Sequence, residues 1–261
     1  MNKSWHDTLL DYYSLSNEIE RNTDLCKRLT LELERPISWL DIGSGDGSKI
    51  LSLVKELHFS LPGYTSLHLS EPSETWRNSL VSSSVIEELQ LYGEVNLSSR
   101  TLSSWGRHLI KDEFSLITIV HVVYGQDRLK DFIDFSKLAR EKLKGGILWV
   151  VVEAEDSAFN IMRQQLIHRN ILLDPSQYRE IDTFLKQEGF NYAITKTDGK
   201  QCNISETDPQ NWLPPFLLGI EGDEYQELPA DKKRIVERIV SDHCNHRKVL
   251  EIDDIAFTIR L

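Results

Sequence analysis

The chain has 261 residues, enough to bury the core of one large α/β domain, and its 30 basic and 41 acidic residues leave a net charge of −11. That sign argues against a nucleic-acid partner, whose phosphates ask for cations, and suits a neutral or cationic small molecule. Three widely separated cysteines (Cys26, Cys202, Cys244) with no C-x-x-C pair argue against a disulfide scaffold or a zinc site, and no metal is expected. Residues 1 to 6 lack a signal pattern and no run of about 20 apolar residues occurs, so a cytoplasmic protein with no membrane partner is expected.

Residues 5 to 34 read as helix, with one apolar stripe of Trp5, Leu9, Leu10, Tyr13 and Leu15 and a second of Ile19, Leu25, Leu29 and Leu33. The capping chemistry of Asn22-Thr23-Asp24 predicts a break there. A strand follows at about Ile37 to Ile42, and then a helix to Leu57. Between them lies Asp41-Ile42-Gly43-Ser44-Gly45-Asp46-Gly47-Ser48, an apolar strand that ends in an acid and turns through three glycines. Such a turn lets backbone approach a ligand closely, and the helix N-terminus behind it is expected to welcome a carboxylate or phosphate. The dinucleotide fingerprint needs its third glycine at position 48, which is Ser; the spacing here is Gly-x-Gly-x-Gly.

Asp-x-Gly-x-Gly-x-Gly resembles the first motif of class I S-adenosylmethionine (SAM) dependent methyltransferases. The resemblance implies SAM as cofactor, with Asp41, Gly43, Ser44, Gly45 and Gly47 around its methionine end.

The next strand, Ser66 to Ser70, ends at Glu71-Pro72-Ser73, and an acid at that point is placed to accept both hydroxyls of a ribose. Ser73 is the expected N-cap of the following helix, whose Trp76 is a candidate to cover the cofactor. After Val95-Asn96-Leu97 a polar run leads to a turn at Ser103-Ser104-Trp105; in related enzymes this turn touches the adenine, which makes Ser103 a candidate. Phe114 to Tyr124 is the most apolar strand and should be the centre of the sheet. Val120, His121 and Tyr124 then stand at its carboxyl end, where open α/β sheets bind ligands.

A helix from about Arg128 to Leu143, a strand from Ile147 to Glu153, and helices at about Phe159 to Arg169 and Ser176 to Glu188 follow, the last closed by Gly189. Strands at Phe190 to Thr197 and Ile255 to Ile259 complete the pattern, the last pair antiparallel. The expected fold is α/β: a Rossmann-like, seven-stranded, mostly parallel sheet with helices on both faces. It forms a single domain, 1–261, with an N-terminal helical substrate-lid segment (1–35) and a cap insertion (199–248) that carries Trp212-Leu213-Pro214-Pro215-Phe216 and a helix near Asp231 to His243.

The helical N-terminus, Asp-Ile-Gly-Ser-Gly, Glu-Pro-Ser, a Tyr after the fourth strand, Asn203-Ile204-Ser205, the Pro-rich cap and Lys248-Val249-Leu250 together resemble histamine N-methyltransferase and its relatives. The resemblance implies that Asp24, after Thr23, takes the place of an acid that holds the substrate amine. His121 stands for a Gln at the fourth strand, and Asp253, or by a one-residue slip Asp254, stands for an Asn entering the last strand. Tyr12, Tyr13, Tyr124 and Trp212 are the aromatic candidates for the acceptor pocket. Asp24, His121 and Asp253 could orient an acceptor or take its proton. Three functions follow: methylation of a small amine or imidazole, O-methylation with His121 as base, or a non-catalytic SAM-binding subunit. A monomer or homodimer is expected.

Overall fold

The computed structural model describes residues 4–29, 37–60, 64–111, 113–123, 125–172, 178–205, 207–220 and 222–261. In chain order these form α1 (Trp5–Leu15), α2 (Glu18–Leu29), β1 (Ile37–Ile42), α3 (Ser48–Ser60), β2 (Tyr64–Ser70), α4 (Glu74–Ser82), α5 (Val85–Gln90), β3 (Glu94–Ser98), α6 (Leu102–His108), β4 (Leu116–Val120) and α7 (Gly125–Lys142). They continue with β5 (Ile147–Glu153), α8 (Ala158–His168), α9 (Tyr178–Gln187), β6 (Asn191–Lys196), β7 (Gln201–Asn203), α10 (Leu213–Leu218), α11 (Gly222–Glu227), α12 (Ala230–Cys244), β8 (Val249–Glu251) and β9 (Asp254–Arg260). The seven-stranded sheet has the order β3-β2-β1-β4-β5-β9-β6, with β4 in the middle as its composition predicts. The pairs among β1 to β5 are parallel and β9 runs antiparallel to β6, so the sheet is Rossmann-like with helices on both sides. Among the described residues no helix is long and apolar enough to cross a membrane.

The chain divides into two compact units, each with its own core. One comprises Asn22–Val152, Gln177–Lys196 and Ile255–Leu261. In it Trp39, Leu67, Leu69, Leu116, Trp149 and Val151 bury the strands against Leu25, Cys26 and Leu29 of α2 and Ile50, Leu53 and Val54 of α3. A polar stitch runs through this apolar layer. Trp39 Nε1 donates to Thr118 Oγ1 (2.9 Å), whose hydroxyl donates to Asp41 Oδ1 (2.5 Å), locking the acid at the end of β1 to β4.

The other unit comprises Met1–Arg21, Glu153–Ser176 and Thr197–Asp254. Tyr12, Phe159, Met162, Trp212, Phe216, Val236 and Val240 are at its core, and β7 pairs with β8 as a small antiparallel hairpin. A fully buried cation lies inside it. Lys200 Nζ sits 2.6 Å from Asp254 Oδ2 and 3.0 Å from Glu18 Oε2, and Tyr12 donates its hydroxyl to that same glutamate oxygen (2.5 Å). Burial works against the charged lysine, but Asp254 and Glu18 outweigh it and hold its pKa above the usual value. The three cysteines are buried free thiols, with burial pushing Cys26 and Cys202 up to about 12 and Cys244 to about 11.

Several boundaries differ from the sequence reading. The first helical stretch breaks at Ser16-Asn17, not at Asn22-Thr23-Asp24, which lie inside α2. Ser16 is extended and bridges to Cys202, while Asn17 donates to the carbonyl of Gly199 and accepts from Gln201 N. A long-range contact therefore overrides the local capping signal. The central strand is shorter than expected because His121 has φ +55°, which no strand can continue. Ser103-Ser104-Trp105 is the first turn of α6, capped by Thr101, not a loop. β2 starts two residues earlier than expected, and α7 three. The expected helical position Leu33 and the expected helix start at Ser176 lie outside the described residues.

Replacing Lys200 with Met would leave Glu18 and Asp254 buried together without their cation. A loss of about 3–5 kcal/mol in urea unfolding at pH 7 is expected. Because the folded pKa of Lys200 is raised, its contribution is complete below the unfolded value of about 10 and vanishes as pH rises through the folded one. The gap between wild type and Lys200→Met should therefore stay flat from pH 7 to 9 and close only in stronger alkali.

Candidate cofactor site

The site is built where β1 and β2 end side by side. Gly43 N and Ser44 N both donate to the carbonyl of Ser70 (2.7 and 3.2 Å), and Ser44 Oγ in turn accepts from Ser70 N (3.2 Å). Glu71, 6% exposed, uses both carboxylate oxygens on backbone: Oε2 accepts from Gly45 N and Oε1 from Ser73 N, each at 2.8 Å. The acid expected on a ribose is thus also the peg that holds the glycine turn, and each oxygen keeps a second lone pair for a hydroxyl donor. Ser73 caps α4 through Trp76 N, as its position predicts.

The glycines do different things. A Cβ on Gly43 (φ +80°) would lie 2.3 Å from Val122 Cγ2, so this residue is glycine in order to pack against the segment that leaves β4. A Cβ on Gly45 (φ +58°) would meet only the edge of the Trp76 ring, at 4.0 Å. That open face is a cradle a side chain would fill. At the start of α3, where an anion is expected, Asp46 Oδ1 accepts from Ser48 N (3.0 Å) and Ser48 Oγ (2.7 Å), so the chain's own carboxylate takes one of the helix's first amides. Burial raises the pKa of Asp41, opposed by its bonds from Thr118 and Ser44 and by the Lys49 charge, and reinforced by Glu71.

On the β3 side, Trp105 Nε1 donates to Ser70 Oγ (2.7 Å), which donates to the carbonyl of Arg100 (2.7 Å), and the Arg100 guanidinium stacks on the Trp105 ring at 4.6 Å. Ser103 is exposed and 3.2 Å from Thr101 Oγ1. Val120 ends β4, and His121, partly buried and left-handed, donates its N–H to the carbonyl of Val151 (3.0 Å).

No protein-family model matches the chain, and no curated protein does. Solved structures do. The YcgJ protein of Bacillus subtilis aligns at 15% identity over 92% of this chain and 97% of its own (TM-score 0.58). A SAM-dependent methyltransferase from Archaeoglobus fulgidus aligns at 12% over 93% and 94% (TM-score 0.52). A cyclopropane-fatty-acyl-phospholipid synthase-like protein from Lactobacillus casei aligns at 10% over 93% and 92% (TM-score 0.61).

The fold is that of the SAM-dependent methyltransferases. S-adenosyl-L-methionine is the cofactor expected with it, and the residues present fit it: a carboxylate with spare lone pairs at the end of β2, and an open glycine face beside an aromatic edge.

The acceptor-side candidates are distributed over both units. Asp24 lies on α2 and His121 follows β4 in the sheet unit; Tyr124 lies outside the described residues. Tyr12, Tyr13, Trp212 and Asp253 belong to the other unit. There Tyr12 and Trp212 are buried beside Phe216, and Asp253 Oδ1 accepts from Lys200 N (3.1 Å) and Thr197 Oγ1 (3.2 Å). Asp254, the one-residue alternative, is fully buried on Lys200. Sequence reasoning missed Lys200 and Glu18, since a lysine in a polar stretch reads as exposed. It also missed Thr118, whose hydroxyl holds Asp41, and Asn22. Asn22 is 3% exposed, and neither its Nδ2 nor its Oδ1 has a hydrogen-bond partner among the described residues, an arrangement that costs about 1–3 kcal/mol per group.

Gly43→Ala should destabilise the protein by about 2–4 kcal/mol through clash and strain. Gly45→Ala should cost only about 1 kcal/mol of strain yet remove most affinity for S-adenosylhomocysteine. Urea unfolding of both variants, with calorimetric titration of the second, checks the contrast.

Proposed function

We propose that this chain is a SAM-dependent methyltransferase that modifies a nitrogen of a small amine- or imidazole-bearing metabolite. The observation that carries the cofactor half of this reading is the open Gly45 face beside Trp76, next to a glycine turn pegged by Glu71. The acceptor half rests on the resemblance to histamine N-methyltransferase and on the acidic and aromatic residues at the matching positions.

Once bound, the cofactor supplies a methyl group already activated on a sulfonium. The chain must place the acceptor in line, exclude water and take one proton. Glu71 is assigned to the ribose hydroxyls, and Asp41, Ser44 and Val120 to shaping the pocket floor. Trp76 covers one side and Ser103 the adenine edge. His121 is assigned to the proton, an imidazole nitrogen being able to serve as a general base. Asp24 is assigned to orienting a cationic acceptor; too tight a pairing would raise the amine pKa and oppose attack, so its part is placement. Tyr12, Tyr13, Trp212 and Asp253 are further acceptor-side candidates, each to be tested by its own substitution. The segments 1–35 and 199–248 are read as acceptor-determining.

The alternative reading is O-methylation of a hydroxyl acceptor with the His121 imidazole as base; the left-handed backbone at His121 is compatible with a site of chemistry under either reading.

Micromolar binding of S-adenosylhomocysteine, weakened tenfold or more in Glu71→Gln, is the expected calorimetric result. Histamine and other biogenic amines would then be screened for methylated product by mass spectrometry. No binding to the wild type would overturn the reading. His121→Asn keeps a residue that tolerates the left-handed conformation and removes the base. Its melting temperature should be unchanged while turnover falls about 10²- to 10⁴-fold; turnover of hydroxyl but not amine acceptors would decide for the second reading.

A further inference from the structure

The segment that carries Glu71 uses every backbone polar group it has. Glu71 N donates to the carbonyl of Ser98 (3.0 Å), Ser73 N donates to Glu71 Oε1 (2.8 Å), and the carbonyl of Ser73 accepts from Arg77 N (2.9 Å) where α4 begins. Pro72 has no N–H to give. Two carbonyls remain, those of Glu71 and Pro72, and one side-chain atom takes both. Arg77 Nη1 donates to the first at 3.0 Å and to the second at 3.2 Å.

Local rules do not ask for an arginine here. Arg77 stands four residues after the Ser73 cap, near the end of α4 at which the helix dipole favours acids such as Glu74 and disfavours cations. Its partly buried side chain reaches back past the cap to carbonyls five and six residues earlier, so its charge is spent on the approach to the helix.

The effect of that contact can be followed bond by bond. Pro72 fixes its own φ and keeps the residue before it extended, which leaves two ψ angles to aim the carbonyls of Glu71 and Pro72. One guanidinium nitrogen bonded to both fixes the pair. The Pro72 carbonyl and the Ser73 N–H belong to a single planar peptide unit, so holding the carbonyl also aims the N–H at Glu71 Oε1. The Glu71 carbonyl, held by the same nitrogen, sets the backbone from which the carboxylate extends to Gly45 N. Arg77 therefore acts on both anchors of that carboxylate, and with them on the direction of its unused lone pairs.

Resting on the cofactor reading above, we infer that Arg77 is a positioning residue for the nucleoside: it acts through Glu71, holding the Glu71–Pro72 backbone so that the carboxylate meets both ribose hydroxyls.

The test is a double-mutant cycle read by calorimetric titration with S-adenosylhomocysteine. Arg77→Met keeps an unbranched stem and removes the donors; it should bind about tenfold more weakly, the worth of one charge-assisted hydrogen bond. Arg77→Lys retains a cation with several donors and should recover most of that loss. In a Glu71→Gln background, Arg77→Met should cost little more, because a residue that acts through another loses its effect when the other is changed. 5′-Methylthioadenosine, which carries the same ribose, should show the same pattern. Wild-type affinity in Arg77→Met would overturn the inference. So would a loss that adds in full to that of Glu71→Gln, or one that Arg77→Lys leaves unrepaired, since either would reduce Arg77 to a support of the helix start. A wild type that binds neither ligand would instead sink the cofactor reading itself.

Discussion

The candidate site depends on one buried carboxylate. Glu71 stands where β2 stops, and its two oxygens hold the amide that opens the next helix and the amide of Gly45 on the neighbouring strand's turn. A charged acceptor makes stronger bonds to backbone N–H than a neutral one does, and inside a protein there is little water to compete. The glycine turn is therefore presented in one conformation. Its open face stays at a set distance from the acid assigned to the ribose, so the peg for the backbone and the assigned ligand for the nucleoside are a single residue.

Behind the peg, the sheet supplies rigidity without using polar groups wastefully. Thr118, in the middle of the central strand β4, accepts from Trp39 and donates to Asp41, satisfying an indole N–H and a carboxylate with one hydroxyl. Asp41 is held in a place where burial resists its charge, and the turn that follows it starts from a fixed point. The second unit solves a similar problem at higher stakes. Its buried Lys200 is surrounded by Asp254, Glu18 and, through Glu18, the hydroxyl of Tyr12. Such a cluster adds little net stability over a well-packed apolar one but penalises any packing that separates its members, which makes it a device for a unique arrangement of this unit.

His121 is the point at which the central strand ends. Its left-handed backbone ends β4 abruptly and turns the next residues toward Gly43, whose missing side chain leaves room for Val122. The strain of a non-glycine residue there persists because the strand on one side and the packing of Val122 on the other both hold it.

Much of the fold was legible in the residues because the deciding physics is local. Alternating apolar runs and helical stripes set the strands and helices, and Asp41 with three glycines at alternate positions specified a close-approach turn, since positive φ at glycine is a property of the residue itself. Glu71 at a strand end, Ser73 as a cap and the antiparallel last pair were visible for the same reason. What the tertiary structure decided are the outcomes that depend on partners far along the chain. The helix break moved to Ser16-Asn17 because Gly199 and Gln201, 182 and 184 residues away, compete for Asn17. Lys200 became a core residue because two acids from distant segments meet it. Asn22 became a buried amide without a hydrogen-bond partner among the described residues only when α2 was laid against the sheet. No local pattern distinguishes these three residues from ordinary surface positions, because burial of a polar side chain is settled by what packs over it.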